Sequence, residues 1–492
     1  MFCGCLLNMN KKYKNMIKKI APIHRNELTK FLCIAALMLL ITYVHGILHI
    51  AKDVLVISHL GAEYISAMKI WAVLPVSLIF MFLYIKLADK LSRSQLFHVV
   101  TWFFISYFVL FALVIYPWRD SLGFNISNSL VASLPSLQYL FKIINNWHYS
   151  LFYVFAEGWI AIMLPISFWQ TANHITTVEE SKRFYPLFGL SAGTGKMIAS
   201  VLSATFVAHG ANWQPTLNSI TIFIVMAGIA ISVCLFALEK VVGEANFNIQ
   251  KSHFKTKSKM SFKNSLKYIL SSRIILLITA LLLCYNTSIN LVEGVWKKSI
   301  EVFFGSDANR IHQFISNVDV CISIVSIAGA FLGVYILQRF KWLTSALITP
   351  FIVCFTGGMF FLFTLLRNHP SVLLLQVSPV LIAVYFGAIY NIFSRSSKHT
   401  LFDPTKERVY IPLDDDLKTK GKAAAETIGL RFGKGNGAFV QQVLFALFPS
   451  MTLLELSPII CGIFIVMLIC WFYATFALNK EQAKKNGFSS RI

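Results

Sequence analysis

Apolar runs of about twenty residues, each long enough to cross a lipid bilayer as a helix, recur along this 492-residue chain from end to end. They lie near residues 31–50, 66–85, 95–116, 149–172, 186–207 and 216–238, and again near 269–290, 316–337, 343–366, 371–393, 424–448 and 454–478. Two sets of six spans predict an all-α polytopic membrane protein with twelve transmembrane helices. Composition agrees, because 56% of the residues are hydrophobic and 13% charged, against roughly 25% charged in a soluble domain. A chain so poor in charge could not cover its own surface in water. The 44 Lys and Arg that outnumber 22 Asp and Glu therefore belong in the loops of a membrane protein. A nucleic-acid partner is not expected.

Charge placement orients the chain. With the N-terminus inside, the inner segments hold Lys11 to Lys30, Lys86 to Arg93, Lys182 with Arg183, Lys240 to Lys267, Arg339 with Lys341, Arg395 to Lys422, and Lys480 to Arg491. The outer loops hold only Lys52, Arg119, Lys142, Lys297, Lys298, Arg310 and Arg367, a bias of roughly four to one that puts both termini in the cytoplasm. The expected division is a basic N-terminus at 1–30, a six-helix bundle at 31–238, a basic linker at 239–267, a second bundle at 268–478 and a tail at 479–492. The linker reads as a hinge between halves or as an anchor to acidic headgroups, and Asp403–Lys422 reads as a solvated loop. The cysteines are scattered without a CxxC pair, which argues against a disulfide framework or a zinc site. The basic start lacks a small-residue cleavage site, against a signal peptide. No cofactor or metal is expected. Two sets of six with a basic central loop is the outline of a transporter whose site lies between repeats.

A charged side chain at mid-membrane costs about 2.5–3.5 kcal/mol, so each needs a partner or a use. Lys52 and Asp53 are expected at the outer end of the first span, and Glu293, Trp296, Lys297 and Lys298 at the matching place in the seventh. Both a functional pair and ordinary interfacial anchoring fit that spacing. Glu157 falls about two turns inside the fourth span, where it must pair with a lysine or carry a proton. Trp159, Trp169, Gln170 and Asn173 on the same span read as packing and interhelical bonding. Two Gly-Lys clusters recur, SAGTGKM with Lys196 and LRFGKGNG with Arg431 and Lys434. Their small residues permit close helix approach. Neither is a P-loop, since Leu190 stands in place of the first glycine and Met197 in place of the Ser or Thr. Lys52, Lys196, Arg431 and Lys434 together predict a positive cavity, which selects a polyanion such as a phosphate ester.

The motifs AKDVLV, LGAEYISAMKIWAVLP, AEGW, FWQTANHITTVEESKRFYPLFGL, NTSINLVEGVWKKSI and KTKGKAAAETIGLRFGKGNGAFVQ occur in that order across nearly the whole chain. Together they resemble the ATP:ADP antiporter family, the nucleotide translocases of obligate intracellular bacteria and plastids. The resemblance implies a fold similar to the major facilitator superfamily and exchange by alternating access. The implied activity is exchange of host ATP, or another nucleoside triphosphate, for bacterial ADP or another diphosphate across the inner membrane, and a monomer is the default expectation for a carrier whose pathway lies within one chain. A charged quartet in that family falls here on Lys52, Glu157, Glu293 and then Lys422, with Lys420 beside it. Asn286 and Lys297 lie in the same motif as Glu293. Import of GTP, CTP or UTP, and proton-coupled nucleotide symport, remain alternatives. A membrane-embedded transferase is the reading outside transport.

Overall fold

The computed structural model describes residues 23–24, 26–124, 126, 133, 137–208, 212–243, 269–270, 272–368, 378–410, 413 and 421–489. Of these, the side chains of 178, 182, 186, 423–424, 427–434 and 485–489 are left out of the description. The described residues contain no strand. The first long helices are α1 (Leu28–His59), α2 (Tyr64–Ala88), α3 (Arg93–Ile115), α4 (Trp147–Ile175), α5 (Val178–Thr205) and α6 (Gln214–Val242). Then follow α7 (Arg273–Phe304), α8 (Ala308–Arg339), α9 (Trp342–Leu365), α10 (Pro379–Ser397), α11 (Lys422–Leu447) and α12 (Ser457–Ser489). Among the described residues ten of these are long and apolar enough to cross a membrane. The other two are α10 and the charge-bearing α11.

Local sequence sets where these helices start and bend. Capping boxes open α3 at Ser92 with Gln95 and α5 at Thr177 with Glu180. Among the described residues π turns occur at Lys69–Val73, Phe111–Ile115, Met163–Phe168 and Lys398–Phe402, and the first, second and fourth share one cause. Each of these three is closed by the N–H of Leu74, Tyr116 or Asp403, which donates to the carbonyl five residues back. The next residue is in each case a proline, Pro75, Pro117 or Pro404. Proline offers no N–H to the ladder, and the widened turn absorbs the defect.

The two sets of helices pack alike. α1 lies along α5, α6 and α4, while α7 lies along α11, α12 and α10. Glycine permits a close approach in each set: a Cβ at Gly195 of α5 would strike the Leu39 carbonyl oxygen of α1, and one at Gly437 of α11 would strike the Asn290 side chain of α7. These are the two Gly-Lys clusters of the sequence. Indole N–H groups lock the same arrangement, with Trp159 donating to Ile41 (3.1 Å) and Trp296 to Val384 (2.9 Å). The first set meets the second mainly through α5 with α8, α1 with α8, and α2 with α11. Leu78, Ile222, Phe331 and Phe355 remain exposed on the outside of the bundle, which suits helices solvated by lipid tails.

Several boundaries differ from those expected. α1 continues to His59 and α7 to Phe304, past the expected ends at 50 and 290. Lys52, Asp53, Glu293 and Lys297 are therefore interior helix residues, and Lys52 and Lys297 leave the tally of loop charges. Opposite charges neutralise one another there, so the helix need not stop at them. α5 begins at Val178, not 186, and α11 at Lys422, not 424. α10 runs through Arg395 to Ser397, past the expected end at 393. Most of the basic linker, Lys420, the triplet Asp414–Asp416 and the Arg431 and Lys434 side chains fall outside the described residues.

The sets are tied together at the ends remote from the chain termini. Lys298 of α7 pairs with Glu63 (3.0 Å) and Glu301 (2.7 Å), and Glu301 accepts from the Ala62 N–H (2.7 Å). Thr216 donates to Asn309 (2.7 Å) and Gln138 to the Pro449 carbonyl (2.7 Å). At the opposite end the described ion pairs stay within one set: Lys30 with Glu180 (2.8 Å), Arg183 with Glu27 (2.6 Å), and Lys422 with Glu407 (2.6 Å). The bundle is thus sealed at one end. Because α7 has no room at Gly437, Gly437→Leu is expected to cost about 1–3 kcal/mol or more through overpacking, read as a lowered melting temperature in detergent; an unchanged melting temperature would mean the α7–α11 contact is not tight.

Candidate functional site

Charge on α1, α4, α7 and α10 converges at the centre of the bundle. Lys52 lies twenty-four residues after Leu28 on α1, and Lys297 the same number after Arg273 on α7, so matching helices bring two ammonium groups to matching depth. Between them stands Asp53, 3.0 Å from Lys52 and 2.8 Å from Lys297. On one side Lys52 also reaches Glu157 of α4 at 3.1 Å. On the other, Lys297 reaches Glu293 at 2.7 Å, and Glu293 reaches Arg395 of α10 at 3.0 Å. The result is one chain of alternating sign, Glu157, Lys52, Asp53, Lys297, Glu293, Arg395, with three acids and three bases.

Burial is graded along that chain. The Lys52, Asp53 and Lys297 side chains are 2–5% exposed and Glu293 11%, whereas the ends, Glu157 and Arg395, are 30% and 27% exposed. Tyr153, one turn before Glu157, accepts from Lys52 at 3.2 Å and places its ring 4.3 Å from the ammonium. This uses the third Lys52 donor and adds a cation–π contact. Arg395 lies 3.4 Å from His49 of α1, a second link across the two sets.

Two cavities flank the chain and share Glu293 and Lys297 as a wall. One is bounded by Ser66, Lys69, Asn290 and Gln441; the other by His49, Asp53, Asp319, Asn391 and Arg395. Cations and carboxylates beside a polar cavity can exchange partners with an incoming anion. Bound phosphate oxygens would replace carboxylate oxygens on the same ammonium groups.

Of the residues singled out in the sequence, Lys52, Glu157, Glu293 and Lys297 meet here. Lys196 is exposed on α5, within electrostatic reach of Asp319 of α8. The Asn286 amide is spent on its own helix, donating to Leu282 at 2.8 Å. Lys422 lies elsewhere, paired with Glu407 of the short helix Asp403–Tyr410 and 5.4 Å from the Tyr410 ring. In that helix burial disfavours the Lys406 charge, but Glu426, Asp403 and Glu407 outweigh it and hold the ammonium above the usual lysine range. Lys420 and the side chains of Arg431 and Lys434 lie outside the described residues. Arg395, Asp319, Lys69 and Tyr153 were not anticipated. Lys69 and Asp319 each interrupt an expected apolar span, which is the signal that would have marked them.

A helical bundle with a buried charged core, flanked by polar cavities between two similar sets of helices, has the architecture of a membrane transporter. The fold is of the major facilitator type. A bacterial homologue of the iron transporter ferroportin, in its inward-facing state, superposes with a TM-score of 0.56 at 13% identity, over 93% of this chain and 98% of that one. A D-xylose–proton symporter superposes at 0.52 with 13% identity, over 92% and 97% of the two chains. Within that class, the family model for the TLC ATP/ADP transporter matches residues 7–482, and the chain belongs to this family. ADP,ATP carrier protein 4 of Rickettsia conorii is 37% identical over 98% of this chain and 97% of its own. ADP,ATP carrier protein 3 of Rickettsia prowazekii is 37% identical over 96% and 99%.

Removing one partner of a buried ion pair strands the other charge, at about 3–5 kcal/mol. Asp53→Asn and Lys297→Gln are each expected to lose about that much stability, whereas the double variant leaves two neutral pairs, Lys52 with Glu157 and Arg395 with Glu293, and should recover most of it. Unfolding measurements on the three variants form a double-mutant cycle. Losses that simply add would show that the Asp53–Lys297 contact is not formed.

Proposed function

We propose that the protein is a nucleotide exchanger of a bacterial inner membrane, taking up ATP or another nucleoside triphosphate against ADP or another diphosphate. The observation that carries this reading is the alternating charge chain, which crosses from α1 to α7 beside two polar cavities. The names of the Rickettsia relatives support the choice of adenine nucleotides. The working unit is a monomer with both termini cytoplasmic, and its halves, 31–238 and 268–478, are joined by the basic linker. With that orientation the sealed end is the outer one, and the described conformation is inward-facing.

In this mechanism the empty carrier is held by its own ion pairs. Asp53–Lys297 and Arg395–His49 link the two halves, so reorientation without substrate must break them and leave charge unpaired. A polyphosphate that takes Lys52 and Lys297 from their carboxylates loosens that link while keeping the cations neutralised. Only differential affinity between the two states is required. Exchange follows, because the loaded carrier crosses and the empty one does not.

A second reading, proton-coupled nucleotide uptake, is favoured by Asp319, a cavity-lining carboxylate with no cation within 4.0 Å among the described residues. Labelled ATP uptake into proteoliposomes preloaded with ADP decides between them. The exchange reading predicts uptake that requires internal ADP, is indifferent to a pH gradient collapsed by ionophore, and falls at least tenfold in Lys52→Ala and Glu157→Ala. Uptake driven by the pH gradient into empty vesicles would establish the second reading, and wild-type transport by both variants would remove the charge chain from the mechanism.

A further inference from the structure

Among the described residues, several cations of this bundle are held by carboxylates, whereas half-buried Lys69, which lines a cavity, is not. Lys52, Lys297 and Lys298 each have two carboxylate partners and Arg395 has one. Lys69 has none within 4.0 Å among the described residues. Its ammonium donates to the side-chain oxygen of Asn290 at 3.3 Å, a long bond that uses one of three donors. A half-buried lysine with only an amide oxygen within hydrogen-bond distance is incompletely compensated, and an anion in the adjoining cavity would complete its shell.

The surroundings fit such an anion. Lys69 sits in the π turn ahead of Pro75, the kind of local widening that recurs at functional sites. The turn belongs to α2, while the facing wall of the cavity is Asn290, Glu293 and Lys297 of α7 with Gln441 of α11. Glu293 is already shared between Lys297 and Arg395, and Lys297 is balanced by Asp53. Lys69 is therefore the excess positive charge of that cavity. Gln441 donates to the Asn290 backbone carbonyl at 3.2 Å and Ser66 accepts from Gln442 at 2.9 Å, so the lining is hydrogen-bonding and not greasy. An anion bound there would be gripped from both halves at once.

We infer that Lys69 is a phosphate-binding residue for the transported nucleotide, reached from the cavity between α2, α7 and α11. The inference rests on the nucleotide-exchange reading. It adds to the chain's own cations one that need not leave a carboxylate before it can bind, and so gives the polyphosphate a first foothold from which to compete for Lys297.

The test compares wild type, Lys69→Gln and Lys69→Arg in detergent, titrated with ATP, ADP, AMP and adenosine and read by nucleotide-induced shifts in melting temperature. Because Lys69 is in no ion pair, Lys69→Gln is expected to melt as wild type does without nucleotide. Its ATP affinity is expected to fall about ten- to hundredfold, as for loss of a charge-assisted hydrogen bond, with adenosine affinity little changed and Lys69→Arg retaining most ATP binding. ATP affinity within about twofold of wild type in Lys69→Gln would overturn the inference. So would equal losses for ATP and adenosine, which would mark a structural role. Wild-type protein that neither binds nor exchanges any nucleotide would instead remove the exchange reading itself, and the inference with it.

Discussion

Six charges set among apolar helices, the inner four largely withdrawn from solvent, have to be neutralised where they stand, because none can shed its charge without stranding a neighbour. Alternation of sign solves this locally: each interior member of the chain from Glu157 to Arg395 touches two opposite charges at 2.7–3.1 Å. The arrangement is neutral as a whole and open at both ends. It also runs across the bundle, so a deeply buried contact, Asp53 with Lys297, joins α1 to α7. Stability of the empty state and linkage of the two helix sets are thus the same interaction.

The surrounding helices hold that chain in register. α1 and α7 lie in equivalent nests, each pressed by a neighbour through a glycine and pinned by an indole N–H. Without the close approaches at Gly195 and Gly437 the two lysines would not sit at matching depth around one aspartate. The prolines act on the same scale. Pro75 removes one amide N–H from α2, the π turn before it takes up the slack, and Lys69 is carried on that turn. Substrate chemistry and backbone geometry meet at a residue whose placement a regular helix would alter.

Much of this was legible in the sequence. Apolar length predicted the helical membrane fold, and scarcity of charge within spans drew attention to Lys52, Glu157, Glu293 and Lys297. The pairing itself was not legible. Asp53 and Lys297 are far apart along the chain, and nothing in their spacing says that one aspartate serves lysines from two helices. Boundaries failed for a related reason. Charges were read as span ends, yet α1 and α7 run on through theirs because the charges cancel inside the bundle. Arg395 was placed past the end of its span by the same rule. Lys422 shows the converse, since a motif position can be matched while its side chain is paired with Glu407 on a different part of the structure.

The most direct test of the account is a structure of the protein determined with nucleotide bound. The account predicts phosphate oxygens within hydrogen-bond distance of Lys297 or Lys52, with the Asp53–Lys297 pair, now 2.8 Å, opened beyond ion-pair range. Nucleotide seated in the bundle with every contact from Glu157 to Arg395 intact would contradict it, and would mean that the charge chain is scaffold and not switch.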